Sequence, residues 1–132
     1  MEKFNNLVGI PFLKGGSSKV GADCWGIVLL AFQLEGIAIS DNIGCKADGL
    51  GLALIIQREK NNPSKWQKII RPQKAAVAIC YERGSPRPTH VGFCVSDSHM
   101  LHSMQQDSEI QTISHLSRVF KKIEYYKYVG QK

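Results

Sequence analysis

The stretch Gly21-Ala-Asp-Cys-Trp-Gly-Ile-Val-Leu-Leu-Ala-Phe-Gln-Leu-Glu35 decides the fold. Asp23 is a helix-capping residue, since its short carboxylate can accept from a backbone N–H just inside the first turn. Gly36 is a helix stop. Between them the chain is almost wholly apolar from Cys24 onward. That run is too long for an ordinary strand, and an apolar surface all the way round predicts a helix buried on every side.

Outward from this helix, regularity falls away on the N-terminal side. Leu7 to Ala22 reads as an irregular arm, broken by Pro11, Gly15-Gly16 and Gly21. On the other side, residues 37–46 form a connection, and a second helix is expected from about Asp48 to Glu59, ended by Asn61-Asn-Pro63. Ser64 to Ile70 reads as a further short turn or helix. From Ala75 the pattern changes. Ala75 to Tyr81 and His90 to Val95 are expected as strands around a Pro-rich loop, followed by an Asp97-Ser98 turn and a third strand, Met100 to Met104. A short extended piece comes after Glu109, Ser114 caps a single turn through Val119, and Lys122 to Val129 is strand-forming. The order predicts an α+β fold with a buried helix on a mostly antiparallel sheet. Nothing repeats and no linker divides residues 1–132, so one domain is expected.

Composition narrows the chemistry. The chain has 132 residues, 43% hydrophobic and 21% charged, enough apolar content for a core without a metal or a disulfide. Its 17 Lys and Arg against 11 Asp and Glu give a formal charge of +6. Such a charge suits nucleic acid, an anionic membrane surface or an acidic wall polymer, and does not choose among them. Cys24, Cys45, Cys80 and Cys94 form no CxxC pair, and His90, His99, His102 and His115 lack paired ligand spacings, so no metal is expected. No glycine-rich stretch matches a phosphate-binding loop. No apolar run approaches the roughly 18 residues of a membrane span. Met1-Glu-Lys-Phe-Asn-Asn lacks the apolar core of a signal peptide, so no export signal is expected there.

Three residues stand out as a possible site. Cys24 falls at the helix start, where unpaired N–H groups and the helix dipole favour an anion, and the thiol pKa is expected to be lowered. His90 opens a strand, at a rim position where a near-neutral imidazole can accept and return a proton. His102 lies on the next strand, and a hairpin about Asp97-Ser98 brings the two histidines together. There a neutral imidazole can hold the tautomer of the base. Asp97 and Asp107 are rival orienters. Asp97 is spent on the turn, and Asp107 stays open. His99 and His115 fall in a turn and a Ser-rich segment. Gly26, in the first helical turn, admits close approach by another element or by a substrate.

Gly21-Ala-Asp-Cys-Trp-Gly-Ile-Val28, Thr89-His-Val-Gly-Phe93 and Leu101-His-Ser103 together resemble the NlpC/P60 cysteine peptidase family, and more narrowly its bacteriophage tail-assembly and cell-wall peptidase branch. The similarity runs from about Pro11 to Met104. It implies a papain-like core in which Cys24 is the nucleophile, His90 the base and His102 the orienter, with no metal or organic cofactor. It also implies hydrolysis of peptide bonds in peptidoglycan stem peptides, often beside D-glutamate and a diamino acid. The implied partners are the wall peptide and phage tail-tip proteins. A nucleic-acid role, which the charge alone would allow, is not expected, since there is no zinc-finger pattern and Tyr125-Tyr-Lys-Tyr128 reads as sheet with solvated lysines. The implied location is the virion tail, or the host cytoplasm before assembly, with action at the bacterial cell wall. Trp25 agrees with the phage branch. Phe12 stands where many relatives carry a tyrosine before the paired glycines, and a phenyl ring cannot donate that hydrogen bond. This departure and the missing export signal motivate an alternative: a structural tail-assembly protein that keeps the peptidase fold without cleaving.

Overall fold

A computed structural model describes residues 2–39, 57–104 and 106–130. Helix α1 runs Cys24–Leu34, and Asp23 caps it as its residue type demands: its Oδ1 accepts from the Gly26 N–H at 2.8 Å. The other carboxylate oxygen accepts from the Gly15 N–H at 3.0 Å, so one side chain fixes both the helix start and the arm before it. Gly36 ends the helix in the left-handed region, at φ +75°, where a glycine carries no Cβ penalty. Every residue from Cys24 to Phe32 is buried, as the all-round apolar run requires.

The arm contributes a 3-10 turn, Glu2–Leu7, and a small hairpin of β1 (Ser17–Ser18) and β2 (Gly21–Ala22). Against α1 lies a six-stranded sheet: β3 (Trp66–Ile69), β4 (Val77–Tyr81), β5 (His90–Cys94), β6 (His99–His102), β7 (Glu109–Thr112) and β8 (Lys122–Tyr128). Their spatial order is β3-β8-β4-β5-β6-β7, with every neighbouring pair antiparallel. A second helix, α2 (Ile113–Val119), covers the other face. This is the expected α+β arrangement.

Two-sided cover explains why the central strands read as continuous apolar runs. From β4 and β5, Val77, Ile79, Val91 and Phe93 join Ile27, Val28 and Phe32 of α1 in one core. The alternate residues Ala78, Cys80 and Cys94 join Met100 with Ile113, Leu116 and Phe120 of the α2 layer. Aromatic edges lock the first core: Phe32 meets Phe93 at 5.1 Å between centroids, and Phe4 meets Phe93 at 5.2 Å.

Three expectations need correction. Residues Ser64 to Ile70 hold strand β3, not a helical turn: Trp66 is pulled into register with Tyr128 and packs edge-on against it at 5.1 Å. Helix α2 is capped by Thr112, whose hydroxyl accepts from the His115 N–H at 3.2 Å, two residues before the expected Ser114. Strand β6 starts at His99 and stops at His102, because its pairing with β7 ends there. Of the expected second helix, residues 57–60 are helical, and the remainder lies outside the described residues, as does Cys45.

A buried carboxylate ties β8 to its surroundings. Glu124 accepts from the Tyr81 hydroxyl at 2.7 Å, from Lys60 at 2.9 Å and from Lys68 at 3.0 Å. Burial alone would raise its pKa; these donors outweigh burial and hold it near about 2. No described helix is long and apolar enough to cross a membrane.

Candidate active site

The site begins with the loop ahead of α1. The Gly16 N–H donates to Leu13 O at 2.8 Å, and the Asp23 N–H donates to Gly16 O at 3.2 Å. The Gly16 carbonyl therefore lies directly on the first helical turn. A Cβ on Gly26 would sit 1.9 Å from that oxygen, so the element that Gly26 admits is the chain's own loop.

This loop and the sheet enclose Cys24. Its side chain is 7% exposed, nearly but not wholly sealed. Burial, with a smaller push from the Asp23 carboxylate, raises the thiol to about 12. The backbone N–H groups of Val91, Trp25 and Cys24 itself lie against the sulfur and act in the opposite direction. The expected lowering of the thiol pKa is therefore overturned. The helix start does favour the anion, but loss of water costs the anion more.

Val91 follows His90, so the sulfur lies at the His90 end of β5. Here the sheet opens: paired residues of β5 and β6 run only through Cys94–Met100 and Phe93–Leu101. Beyond them the two histidines meet, His90 Nε2 lying 2.9 Å from His102 Nδ1. By the register, His102 falls opposite Gly92, which places the two rings diagonally on one face. Gly92 makes room for this. A Cβ there would come 2.4 Å from Met100 Sδ and 3.3 Å from His102 Cβ.

Both rings are buried, His90 with 4% exposure, and both are held neutral. Burial and then His102 push His90 down to about 3. Burial also lowers His102, against the hydrogen bond that its Nε2 makes to the Gln111 amide oxygen and the nearby Glu109 charge. A thiol and two imidazoles that all rest uncharged leave no isolated charge in the interior, and a proton passed from sulfur to an imidazole would create a compensating thiolate–imidazolium pair with no net charge.

The remaining candidates lie elsewhere. Asp107 is exposed in the loop between β6 and β7, and it is His102 that lies within hydrogen-bond distance of His90. His99, expected in the turn, instead opens β6 opposite Thr112, with its Nδ1 2.9 Å from the Ser98 hydroxyl, and His115 is exposed on α2. Phe12 is 38% exposed and bridges to Ala22, two residues before Cys24.

Two residues at this site carry no local sequence signal. Gln111 Oε1 lies 2.6 Å from His102 Nε2, and Phe120 stacks on the His90 ring with centroids 5.6 Å apart and planes 12° from parallel. Both contacts depend on strand register and helix docking, which no motif encodes.

Comparison with known proteins agrees with this fold. The NlpC/P60 family model matches residues 9–129. The gamma-D-glutamyl-L-lysine dipeptidyl-peptidase of Bacillus subtilis (strain 168) is 27% identical over 117 residues, which are 88% of this chain and 35% of that protein. The chain thus spans about a third of the length of that curated relative. Among solved structures, an NlpC/P60 family protein from Bacillus cereus ATCC 10987 superposes with a TM-score of 0.64 at 18% identity, over 96% of this chain and 37% of that one. The NlpC/p60 domain of the peptidoglycan hydrolase SagA superposes with a TM-score of 0.59 at 11% identity, over 97% and 94% of the two chains. With its helix-start cysteine, its paired strand histidines and a family match that covers nearly its whole length, the chain belongs to the NlpC/P60 family.

Proposed function

We propose that this protein is a cysteine peptidase that hydrolyses a peptide bond in peptidoglycan stem peptides. The observation that carries the reading is the 2.9 Å contact between His90 Nε2 and His102 Nδ1, at the open end of β5 and β6 where the Cys24 sulfur meets the Val91 N–H. The named activity of the Bacillus subtilis relative on a gamma-D-glutamyl-L-lysine substrate and the hydrolase title of SagA support the substrate class.

His102 engages Nε2 of His90, which leaves Nδ1 to take the Cys24 proton. Because thiol and imidazole both rest neutral, that transfer accompanies attack and no thiolate needs to exist beforehand. The sulfur bonds to the scissile carbonyl carbon, and the carbonyl oxygen takes the negative charge. Phe12 offers no hydroxyl, so backbone N–H groups around the sulfur would receive that oxygen, each such donor being worth roughly 3 kcal/mol. His90 then protonates the leaving amine, the carbon–nitrogen bond breaks, and a thioester remains. Water, deprotonated by His90, attacks the thioester, releases the acid and returns the proton to sulfur.

The phage-tail setting belongs to this proposal as well, supported by Trp25 in the nucleophile motif. The protein would act at the bacterial wall from a virion tail, after assembly in the host cytoplasm. A second reading, a tail connector that no longer cleaves, is favoured by one combination: a thiol raised to about 12 and no tyrosine at position 12.

Incubation with defined stem peptides, read by mass spectrometry of the fragments, tests the proposal. Wild-type protein should yield two fragments from one bond, and Cys24→Ala none. Intact peptides with wild-type protein, together with a Cys24 that resists alkylation at every pH where the fold persists, would overturn the peptidase reading in favour of the connector.

A further inference from the structure

Three consecutive strands each place one side chain on the same face: His90 on β5, His102 on β6 and Gln111 on β7. Each is diagonal to the next, since Gly92 falls opposite His102 and Glu109 pairs with His102. The two imidazoles alone cannot settle their own protonation. One hydrogen bond joins them whether the proton sits on His90 Nε2 or on His102 Nδ1, and the two arrangements contain equal numbers of bonds.

Gln111 removes that degeneracy. Its Oε1 only accepts, and it lies 2.6 Å from His102 Nε2, so the His102 proton belongs on Nε2. The Nδ1 of a neutral His102 is then a lone pair, which obliges His90 to donate from Nε2. A neutral His90 so arranged presents its own lone pair at Nδ1, the nitrogen a base needs. In the opposite arrangement His90 would carry its proton on Nδ1 and have no capacity to accept one from sulfur.

We propose that Gln111 is a positioning residue that sets the tautomer of both histidines and thereby makes His90 a base at Nδ1. The inference rests on the reading of His90 as the base, and its structural part can be tested independently. A neutral amide also suits the position chemically, because a carboxylate at 111 would favour a charged His102. The other titratable groups that act on this pair are Glu109 and His115, both toward His102; Cys80 sits opposite His90 on β4, and Cys24 meets the Val91 N–H beside it.

The test is the imidazole nitrogen-15 chemical shifts of the uniformly labelled protein near neutral pH, for wild type, Gln111→Leu and Gln111→Glu. Wild type should show both rings protonated on Nε2. In Gln111→Leu a substantial fraction of both rings should move to the Nδ1-protonated form, while backbone amide spectra report an intact fold; Gln111→Met serves if the leucine variant does not fold. On a cleaved stem peptide, Gln111→Leu should lose at least about ten-fold in kcat with KM unchanged, as a base in the wrong tautomer does. Gln111→Glu should keep the acceptor, stay near wild type in alkaline solution, and show an acid limb of kcat moved to higher pH. Unchanged ring tautomers in a folded Gln111→Leu or Gln111→Met protein would overturn the assignment, even with cleavage intact. A tautomer change in a protein that cleaves nothing would leave the assignment standing and sink the peptidase reading instead.

Discussion

The carbonyl oxygen of Gly16 fills the space where a side chain on Gly26 would start, with 1.9 Å between that oxygen and an added Cβ. The loop and the first turn of α1 are in effect one unit, joined again by Asp23, which bonds both Gly15 and Gly26. Gly26→Ala should therefore force the loop off the helix. A loss of about 2–3 kcal/mol in chemical denaturation is expected, the range of an overpacked core, together with faster alkylation of Cys24 as its cover lifts.

Cys24 supplies a second measurement. With its thiol raised to about 12, alkylation of the free protein should be slow near neutrality and climb about ten-fold for each unit of pH through the alkaline range. A resting thiolate–imidazolium pair would instead give a rate that is flat with pH from the acid side. Rates of modification by iodoacetamide, followed by peptide mass mapping, separate the two.

Acid should destabilise the fold through the histidines before it reaches the carboxylates. His90 is held near about 3, below its ordinary 6.5, and His102 is displaced in the same direction. Between these limits the unfolded chain binds protons that the folded one refuses, so stability falls as pH drops below about 6.5. One such ring contributes a slope of about 1.4 kcal/mol per pH unit. Glu124, lowered from 4.5 to about 2, adds its loss only in more acidic solution. Urea unfolding of His90→Gln should show a shallower fall between pH 6.5 and 5 than wild type.

Glu124→Ala should cost about 2–3 kcal/mol, because the buried Tyr81 hydroxyl and the half-buried Lys60 would lose their charged acceptor. Glu124→Gln, which keeps an acceptor, should recover part of it. Equal losses for the two variants in thermal or urea unfolding would show that the charge, rather than the hydrogen bonding, matters.

How much of this was legible in the sequence depends on the range of each contact. Helix α1 could be read because its cap, its apolar run and its stop are adjacent residues. The meeting of His90 and His102 could be read because a short turn joins their strands. Strand β3 could not, since four residues carry too little periodicity and its partner, Tyr125 to Tyr128, lies far along the chain. Gln111 and Phe120 are not legible either, because strand register and helix docking bring them to the histidines. The sign of the Cys24 shift is not legible locally: the helix start is visible in the sequence, whereas burial by the loop and the sheet is a property of the folded whole.

It is the thiolate, not the thiol, that attacks peroxides and strained disulfides. By keeping the proton on Cys24 and most of the atom out of reach, the enclosure around the first turn of α1 also works as a safety catch. A thiol so held should outlast oxidising conditions that would consume an exposed, ionised cysteine.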